Sequence, residues 1–215
     1  MRYHTAMLDF SKKTVIFANG AVPEHAVPLM VLREAERIIC CDGAVDKLVP
    51  LGYVPDLIVG DMDSISDSAR ERFKDRIVEI PDQGRNDLTK ALKLCLQHGW
   101  HDIVVIGATG RRVDHTLGNL SLLVDFARQL DLVLLDDNGT FFPLLDSGGF
   151  VTEAGQQISI FSFDPEAAIS SQGLKYPLNG IKLNRWWQAT LNEAQATLVQ
   201  LRFDGGPLLV FRSYL

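Results

Sequence analysis

The stretch "NDLTKALKLCLQHGWHDIVVIGAT", residues 86–109, contains the two kinds of element that decide the fold. Its first half is amphipathic in the manner of a helix, with Asn86 as a candidate N-cap and Gly99 just past the predicted end. Its second half is a continuous run of Val and Ile that ends in a glycine turn. Such a run is typical of a strand covered on both faces, so a helix is followed here by a buried strand.

The same alternation extends in both directions along the chain. Further apolar strand-like runs end in Gly, Asp, Asn or Pro: "TVIFANG" (14–20), "RIICCDGA" (37–44), "DLIVGD" (56–61), "IVEIP" (77–81) and "DLVLLDD" (131–137). Helix-like stretches stand between several of these runs, as in residues 25–35 and 114–129. Strands separated by helices predict a doubly wound parallel α/β domain, which we place at residues 1–140.

The last third of the chain has a different pattern. Segments such as "QISIFSF" (157–163) and "ATLVQLRF" (196–203) alternate apolar and polar residues, and turn signals such as "DSGG" and "DGG" separate them. Clean alternation indicates antiparallel strands with one face covered. We therefore predict a C-terminal all-β sandwich domain at residues 141–215.

Composition excludes several classes of protein. A net charge of −6 and a pI near 5.3 give no general basic surface for nucleic acid. The first 14 residues lack a signal-peptide core, and no apolar run approaches the ~18 residues of a membrane span. The three cysteines, two of them adjacent in an apolar run, are expected to be reduced core residues. We expect a cytoplasmic protein.

Two acids follow the run at residues 57–60, in the segment "GDMDS". Asp63 or Ser64 can cap the helix that "SDSARERF" predicts, but capping leaves Asp61 unexplained. Two carboxylates this close repel each other unless a cation neutralises them. Since both ligands are oxygens and no thiol is near, the pair predicts a hard ion such as Mg²⁺.

Two further segments place polar residues at predicted strand ends. "PDQGRNDLTKAL" (81–92) puts Asp87 in the first turn of a helix, where a carboxylate suits the helix dipole. "GATGRRVDHTLGNL" (107–120) brackets a turn with glycines and follows it with Arg112, Asp114 and His115. Backbone N–H groups and an arginine at a helix start can hold a phosphate. The segment is not a Walker A loop, and without a G-x-G-x-x-G motif a dinucleotide cofactor has no support. The acids and this glycine-bracketed turn together indicate a Mg²⁺-dependent enzyme acting on the phosphates of a nucleotide.

With these blocks, together with "DGAVDKL" (42–48) and "GLKYPLNG" (173–180), the sequence resembles the thiamine pyrophosphokinases. The resemblance implies an α/β domain joined to a β-sandwich, a homodimer with active sites at the subunit interface, and ATP and thiamine as substrates. Pyrophosphate would pass from ATP to the hydroxyl of thiamine, giving thiamine diphosphate and AMP. Arg111 stands where the family has glycine, and Leu191, in the later segment "LNE" (191–193), stands where the family has serine.

The resemblance also assigns roles to individual residues. It assigns catalytic roles to Asp61, Asp63, Asp87 and Asp114. The first three of these acids would hold Mg²⁺, and either Asp63 or Asp87 would serve as the base. ATP would lie against Asn19, Asp42, Gly43, Gln83, Arg112 and His115. Thiamine would contact Tyr176 and Asn192 in the β domain.

Three alternatives remain open from the sequence. The same machinery can act on another small alcohol or heterocycle, and a Mg²⁺ phosphohydrolase would need no acceptor. A thiamine- or nucleotide-binding regulator without catalysis is the third alternative. We expect neither nucleic acid nor a membrane as a partner.

Overall fold

The structure is a computed structural model that describes residues 13–215. These residues form two compact units, which divide between Asp137 and Asn138. The predicted boundary at 140/141 would cut through a strand that begins at Gly139, so the observed division lies ahead of it. The first twelve residues of the predicted α/β domain, and with them the expectation about a leader, lie outside the described residues.

The first unit alternates strands and helices. Its elements are β1 (Thr14–Phe17), α1 (Ala26–Arg33), β2 (Arg37–Cys41), α2 (Val45–Leu48), β3 (Leu57–Gly60), α3 (Asp67–Arg72), β4 (Ile77–Glu79), α4 (Asp87–Gln97), β5 (Asp102–Ile106), α5 (Val113–Phe126) and β6 (Asp131–Leu135). Single 3₁₀ turns flank α2 and follow α3. The continuous apolar runs are buried almost throughout, as in β1, β2 and β5. They form the middle of a layered α/β core.

The strands of this unit form a parallel sheet in the order β6-β5-β1-β2-β3-β4. The chain moves outward from β1 to β4, returns to place β5 on the other side of β1, and continues to β6. The direction of winding therefore reverses between β1 and β5, which confirms the predicted doubly wound α/β class. In such a sheet the crevice at the carboxyl ends of the strands flanking the reversal is the usual ligand site.

Helix α4 forms as its sequence predicts. Asn86 is the N-cap, and its side chain accepts a hydrogen bond from the Thr89 N–H at 2.9 Å. Gly99 follows the helix with φ of 70°, a left-handed conformation that glycine adopts without a Cβ clash. The apolar face of the helix, including Leu88, Leu92 and Cys95, is buried. All three cysteines of the chain are free and buried.

The second unit is all β, as predicted. It contains β7 (Gly139–Leu144), β8 (Gly148–Val151), β9 (Gln157–Ser162), β10 (Ala168–Gln172), β11 (Asn179–Lys182), β12 (Asn192–Glu193), β13 (Leu198–Asp204) and β14 (Leu208–Ser213). One antiparallel group has the order β12-β9-β14-β7 and the other β11-β10-β13-β8. Phe142 of the first group meets Phe150 of the second edge to face at 5.2 Å, so the two groups pack as a sandwich. No helix among the described residues is long and apolar enough to cross a membrane.

Candidate active site

The turns that follow β1 and β5 are held tightly together at the winding reversal. The N–H of Gly20 donates to the Gly107 carbonyl at 2.6 Å, and the N–H of Ala21 donates to the Thr109 carbonyl at 2.8 Å. A Cβ on Gly20 would lie 2.3 Å from the Gly107 oxygen, so only glycine permits this approach. These two turns form a rigid floor for the carboxyl edge of the sheet.

Three carboxylates from two neighbouring strand ends meet beside this floor. Ligand oxygens of Asp42, Asp61 and Asp63 all lie within 4.8 Å of one another. Asp42 and Met62 have φ of 41° and 64°, left-handed conformations that are strained for residues with a side chain. A Cβ on Gly60 would lie only 2.7 Å from the Asp42 Cβ, so the close approach of the two strand ends depends on this glycine.

The hydrogen bonds of the segment 61–67 correct one prediction. Neither Asp63 nor Ser64 caps α3, because Ser66 does so by accepting from the Ala69 N–H at 3.2 Å. Ser64 instead donates from its N–H and its hydroxyl to Asp42 Oδ2, at 3.1 and 2.7 Å. Asp63 therefore does not cap the helix, and it lies in the group with Asp42 and Asp61.

The acids have the electrostatic character of a cation site. The Asp42 carboxylate is 1% exposed, and its Oδ1 has no hydrogen-bond donor within the described chain when its neighbours are ionised. A hydrogen-bonding contact with Asp42, followed by the charge of Asp61, raises the pKa of Asp63. A hard divalent cation would give Asp42 Oδ1 a partner and would offset the repulsion that raises the pKa of Asp63. The residues present therefore fit Mg²⁺, because all their ligand atoms are oxygens.

Lys90 is a buried cation next to this cluster. Its side chain is 2% exposed, and its Nζ lies 2.9 Å from Asp87 Oδ1 and 3.5 Å from Asp61 Oδ2. Desolvation opposes ionisation of Asp61, but Lys90, the Asp63 N–H and the Gln83 side chain outweigh it and lower the pKa of Asp61. For Asp87 desolvation prevails over Lys90, and its pKa is raised. Lys90 thus neutralises part of the acidic charge.

Asp61 and Asp63 of this cluster line a cavity of about 550 Å³ at the carboxyl edge of the sheet. Its walls come from the ends of β1, β2, β3 and β5 and from the first turns of α4 and α5. They include Asn19, Gly20, Cys41, Asp61, Asp63, Arg85, Asn86, Asp87, Lys90, Thr109, Arg111, Arg112, His115, Thr116 and Asn119. Acids follow β3 and arginines follow β5, so the cavity has one acidic and one basic wall. A cavity of this size and polarity suits a phosphorylated small molecule.

Most of the predicted nucleotide residues lie in or near this cavity. Asn19, Arg112 and His115 line it, and Gln83 donates from Nε2 to Asp61 Oδ2 at 2.8 Å. Gly43 does not line it but is buried, and its N–H donates to the Ser64 hydroxyl at 3.3 Å.

The predicted acids are divided by the structure. Asp42, which we expected at the nucleotide, lies with Asp61 and Asp63 in the carboxylate group, and a metal-binding role for Asp87 stays a prediction. Asp87 lines the cavity as the partner of Lys90. Asp114 pairs with Arg112 at 2.5 and 3.1 Å in the first turn of α5 and does not line the cavity. That ion pair lowers the pKa of Asp114 to about 2.

The two predicted thiamine residues are neighbours in the second unit. The Tyr176 N–H donates to Asn192 Oδ1 at 3.1 Å, and Asn192 Nδ2 donates back to the Tyr176 carbonyl at 2.8 Å. Asn192 is buried, whereas Tyr176 is 61% exposed. The preceding Leu191 has φ of 61° and is exposed. A buried amide therefore positions the backbone of an exposed aromatic residue.

Sequence reasoning missed several residues of the cavity. Lys90 stands three positions after Asp87 on a helix, a spacing that indicates contact and could have identified it. Asn119 donates from Nδ2 to the Ala108 carbonyl at 2.8 Å and accepts from Asn86 Nδ2 at 3.2 Å. No local pattern signals that bridge, because it joins two helices distant in sequence.

The fold and the site together define a two-domain protein whose doubly wound α/β unit carries a cation-compatible, ligand-sized cavity and whose second unit is a β-sandwich. Within this class the chain belongs to the thiamine pyrophosphokinase family, a family of enzymes. Residues 29–134 match the model of the thiamin pyrophosphokinase catalytic domain, and residues 139–211 match that of the thiamin pyrophosphokinase substrate-binding domain.

Individual relatives agree with the family models. The chain is 29% identical to the thiamine pyrophosphokinase of Bacillus subtilis over 212 residues, covering 94% of this chain and 99% of the relative. It is 28% identical to thiamin pyrophosphokinase 1 of Caenorhabditis elegans over 193 residues, covering 81% and 78%. The solved B. subtilis structure superimposes with a TM-score of 0.78 at 26% identity, over 94% of this chain and 99% of that one. The Candida albicans enzyme shares the fold, with a TM-score of 0.82 at 16% identity over 100% and 97%.

Proposed function

We propose that this protein transfers pyrophosphate from ATP to the hydroxyl of thiamine, giving thiamine diphosphate and AMP. The observation that carries the proposal is the group of Asp42, Asp61 and Asp63, whose ligand oxygens converge beside a cavity in a chain that matches both domains of the family. The match to both a catalytic and a substrate-binding domain does not favour a non-catalytic regulator. It also gives a phosphohydrolase without an acceptor no support.

The acidic group is the proposed Mg²⁺ site. Asp42, Asp61 and Asp63 would hold the ion, and Gln83 and Lys90 would keep Asp61 oriented through their contacts with its Oδ2. When bound, Mg²⁺ supplies charge neutralisation for the phosphates of ATP. The left-handed backbone at the cluster fixes the acids before any ligand arrives, so little reorganisation is needed on binding.

Asp87 is the proposed proton acceptor for the thiamine hydroxyl. It lines the cavity, lies outside the three-acid group and has a raised pKa caused by desolvation. A carboxylate of raised pKa is a better base near neutral pH, and Lys90 holds Asp87 Oδ1 in place at 2.9 Å. Arg112 and His115 line the opposite wall, where they suit the phosphate chain.

The β-sandwich, from Asn138 onward, is the proposed thiamine-binding domain, and the α/β unit that ends at Asp137 is the proposed ATP-binding domain. Tyr176 exposes its ring and can stack on a heterocycle, while Asn192 holds the tyrosine backbone. We include a homodimer with shared sites in the proposal, because an exposed aromatic needs a second surface to enclose a ring. A single species of monomer mass in sedimentation at assay concentration would overturn this part. The free cysteines fit a reducing compartment, so we propose a cytoplasmic location.

One assay tests the function directly. The protein is incubated with ATP, Mg²⁺ and thiamine, and we expect AMP and thiamine diphosphate to accumulate in equal amounts. Asp61→Asn and Asp63→Asn should each lower turnover by at least about a hundredfold, since each removes a charge that neutralises the bound cation. Asp67→Asn is the matched control, because Asp67 is an exposed acid on α3 outside the cluster.

Circular dichroism of each variant establishes that the fold is retained. AMP release that does not depend on thiamine would favour a phosphohydrolase. Wild-type turnover in both cluster variants would contradict the proposed role of the acids.

A further inference from the structure

One cation of the cavity differs from the others in its partners. Within the described chain the cavity is lined by four lysine and arginine side chains, Arg85, Lys90, Arg111 and Arg112. Three of them each have a carboxylate oxygen at 3.1 Å or less, from Asp82, Asp87 and Asp114 respectively. Arg111 has no carboxylate at ion-pair distance among residues 13–215. Its charge is therefore uncompensated on the basic wall.

A second cation stands behind Arg111 instead of an acid. Lys47 Nζ donates to the carbonyl oxygens of Asn19 and Gly20, at 2.8 and 2.7 Å. Arg111 Nη1 donates to the same Asn19 oxygen at 3.4 Å. Burial, and after it the nearby charge of Arg111, lower the pKa of Lys47. Two positive groups thus converge on one carbonyl at the end of β1.

Protein stability does not account for this arrangement. Arg111 and Arg112 immediately precede α5, where the positive end of the helix dipole disfavours cations. Arg112 is compensated by Asp114, but Arg111 has only a long bond to a carbonyl. An uncompensated cation that faces a cavity from an unfavourable position is better explained by an anionic ligand than by folding.

The backbone that carries Arg111 is rigid. Gly110 has φ of 82°, and a Cβ there would lie 2.5 Å from the Ala21 Cβ. The N–H of Ala21 in turn donates to the Thr109 carbonyl at 2.8 Å. The turns after β1 and β5 therefore hold Arg111 at one place on the floor of the cavity.

The position of Arg111 relative to the acids gives the length of the ligand. Asp61 and Asp63, which line the cavity, follow β3, whereas Asn19, whose carbonyl accepts from Arg111, follows β1. Two intervals separate these strands in the order β1-β2-β3, or about 10 Å at the usual spacing. A single phosphate held by a cation at the acids does not extend over this distance, but a chain of phosphates does.

We propose that Arg111, supported by Lys47, forms a second anion subsite that binds a phosphate of the nucleotide without help from the metal ion. This deepens the proposed function, on which it rests, by assigning the two ends of the phosphate chain to different walls. The acidic wall takes the cation-bound end, and Arg111 takes a phosphate that no cation neutralises. Arg111 supplies charge-assisted hydrogen bonds to that phosphate, so it should not affect the binding of an uncharged part of the substrate.

Calorimetric titration with inorganic tripolyphosphate in the presence of EDTA tests the subsite. We expect the wild type to bind and Arg111→Ala to bind about tenfold or more weakly, as for loss of hydrogen bonds to a charged group. Arg111→Lys should recover part of the affinity. The matched control is Arg33→Ala on α1, which removes an exposed arginine that does not line the cavity and should leave tripolyphosphate binding unchanged.

Two further measurements separate ligand binding from a structural role. Binding of adenosine, which has no phosphate, and the melting temperature should be the same in Arg111→Ala and the wild type. Equal tripolyphosphate affinity in Arg111→Ala and Arg33→Ala would overturn the inference, as would a wild type that binds none in EDTA. Loss of adenosine binding or of thermal stability in Arg111→Ala would also overturn it. Formation of thiamine diphosphate by the wild type is measured separately, and its absence would overturn the proposed function alone.

Discussion

Replacing Lys90 by methionine isolates the one buried cation of the acidic wall. The substitution keeps most of the side-chain volume and removes the charge that lies 2.9 Å from Asp87 and 3.5 Å from Asp61. Loss of one partner from a fully buried ion pair costs about 3–5 kcal/mol. The side chains of Asp61 and Asp87 keep 14% and 30% exposure, so water stabilises part of the uncompensated charge and the cost falls to about 2–3 kcal/mol.

That cost corresponds to a lower melting temperature, by about 5–10 °C for a chain of this length. Mg²⁺ should restore more stability to Lys90→Met than to the wild type, because an ion at the acids supplies the positive charge that the lysine no longer does. Melting curves in EDTA and in Mg²⁺ measure both effects.

Lys93→Met is the matched control for this experiment. It makes the same change on the same helix, at a half-buried lysine for which the described chain shows no ion pair. Melting temperatures of the two variants that agree within about 1 °C in EDTA would refute the view that Lys90 neutralises the acids. An equal response of both variants to Mg²⁺ would refute the proposed link between the lysine and the cation site.

Two further predictions concern other parts of the site. The pKa of Asp114, about 2 in the folded protein against an ordinary 3.8, should rise in Arg112→Ala. Because the folded protein lowers this pKa, the ion pair stabilises the fold above about pH 4, and its contribution is lost as the pH falls towards 2. NMR titration of the Asp114 carboxyl carbon measures this pKa, and the same midpoint in the variant and the wild type would contradict the ion pair with Arg112. If the active sites are shared between subunits, mixing inactive Asp61→Asn with inactive Tyr176→Ala should restore part of the activity through hybrid dimers. Hybrid dimers that are shown to form but remain inactive would rule out shared sites.

The secondary structure of the first unit could be read from the sequence because local forces determine it. Asn86 and Gly99 mark the ends of α4 with their own side-chain and backbone preferences, whatever the helix packs against. The continuous runs in β1 and β5 became buried strands because such runs need cover on both faces. The cap of α3 was wrongly predicted, since three hydroxyl or carboxylate residues compete within four positions and Ser66 has the right backbone conformation.

The set of residues that meet at the candidate site was harder to predict from the sequence. Asp61 and Asp63 could be singled out because they are two residues apart, whereas Asp42 joins them from another strand end through a left-handed turn and the absence of a side chain at Gly60. Asp114 looked equivalent to the other acids in sequence, but in the structure it forms an ion pair with Arg112 and does not line the cavity.

The sequence by itself determined the order of helices and strands, the change from an α/β to an all-β part, and the acids and glycines at the strand ends. These depend on side-chain periodicity and turn chemistry over a few residues. Only the tertiary structure decided which charges meet: Asp42 with Asp61 and Asp63, Lys90 between two acids, and Arg111 without one. Electrostatic interactions depend on distance in space and on burial, and strand order in the folded sheet sets both.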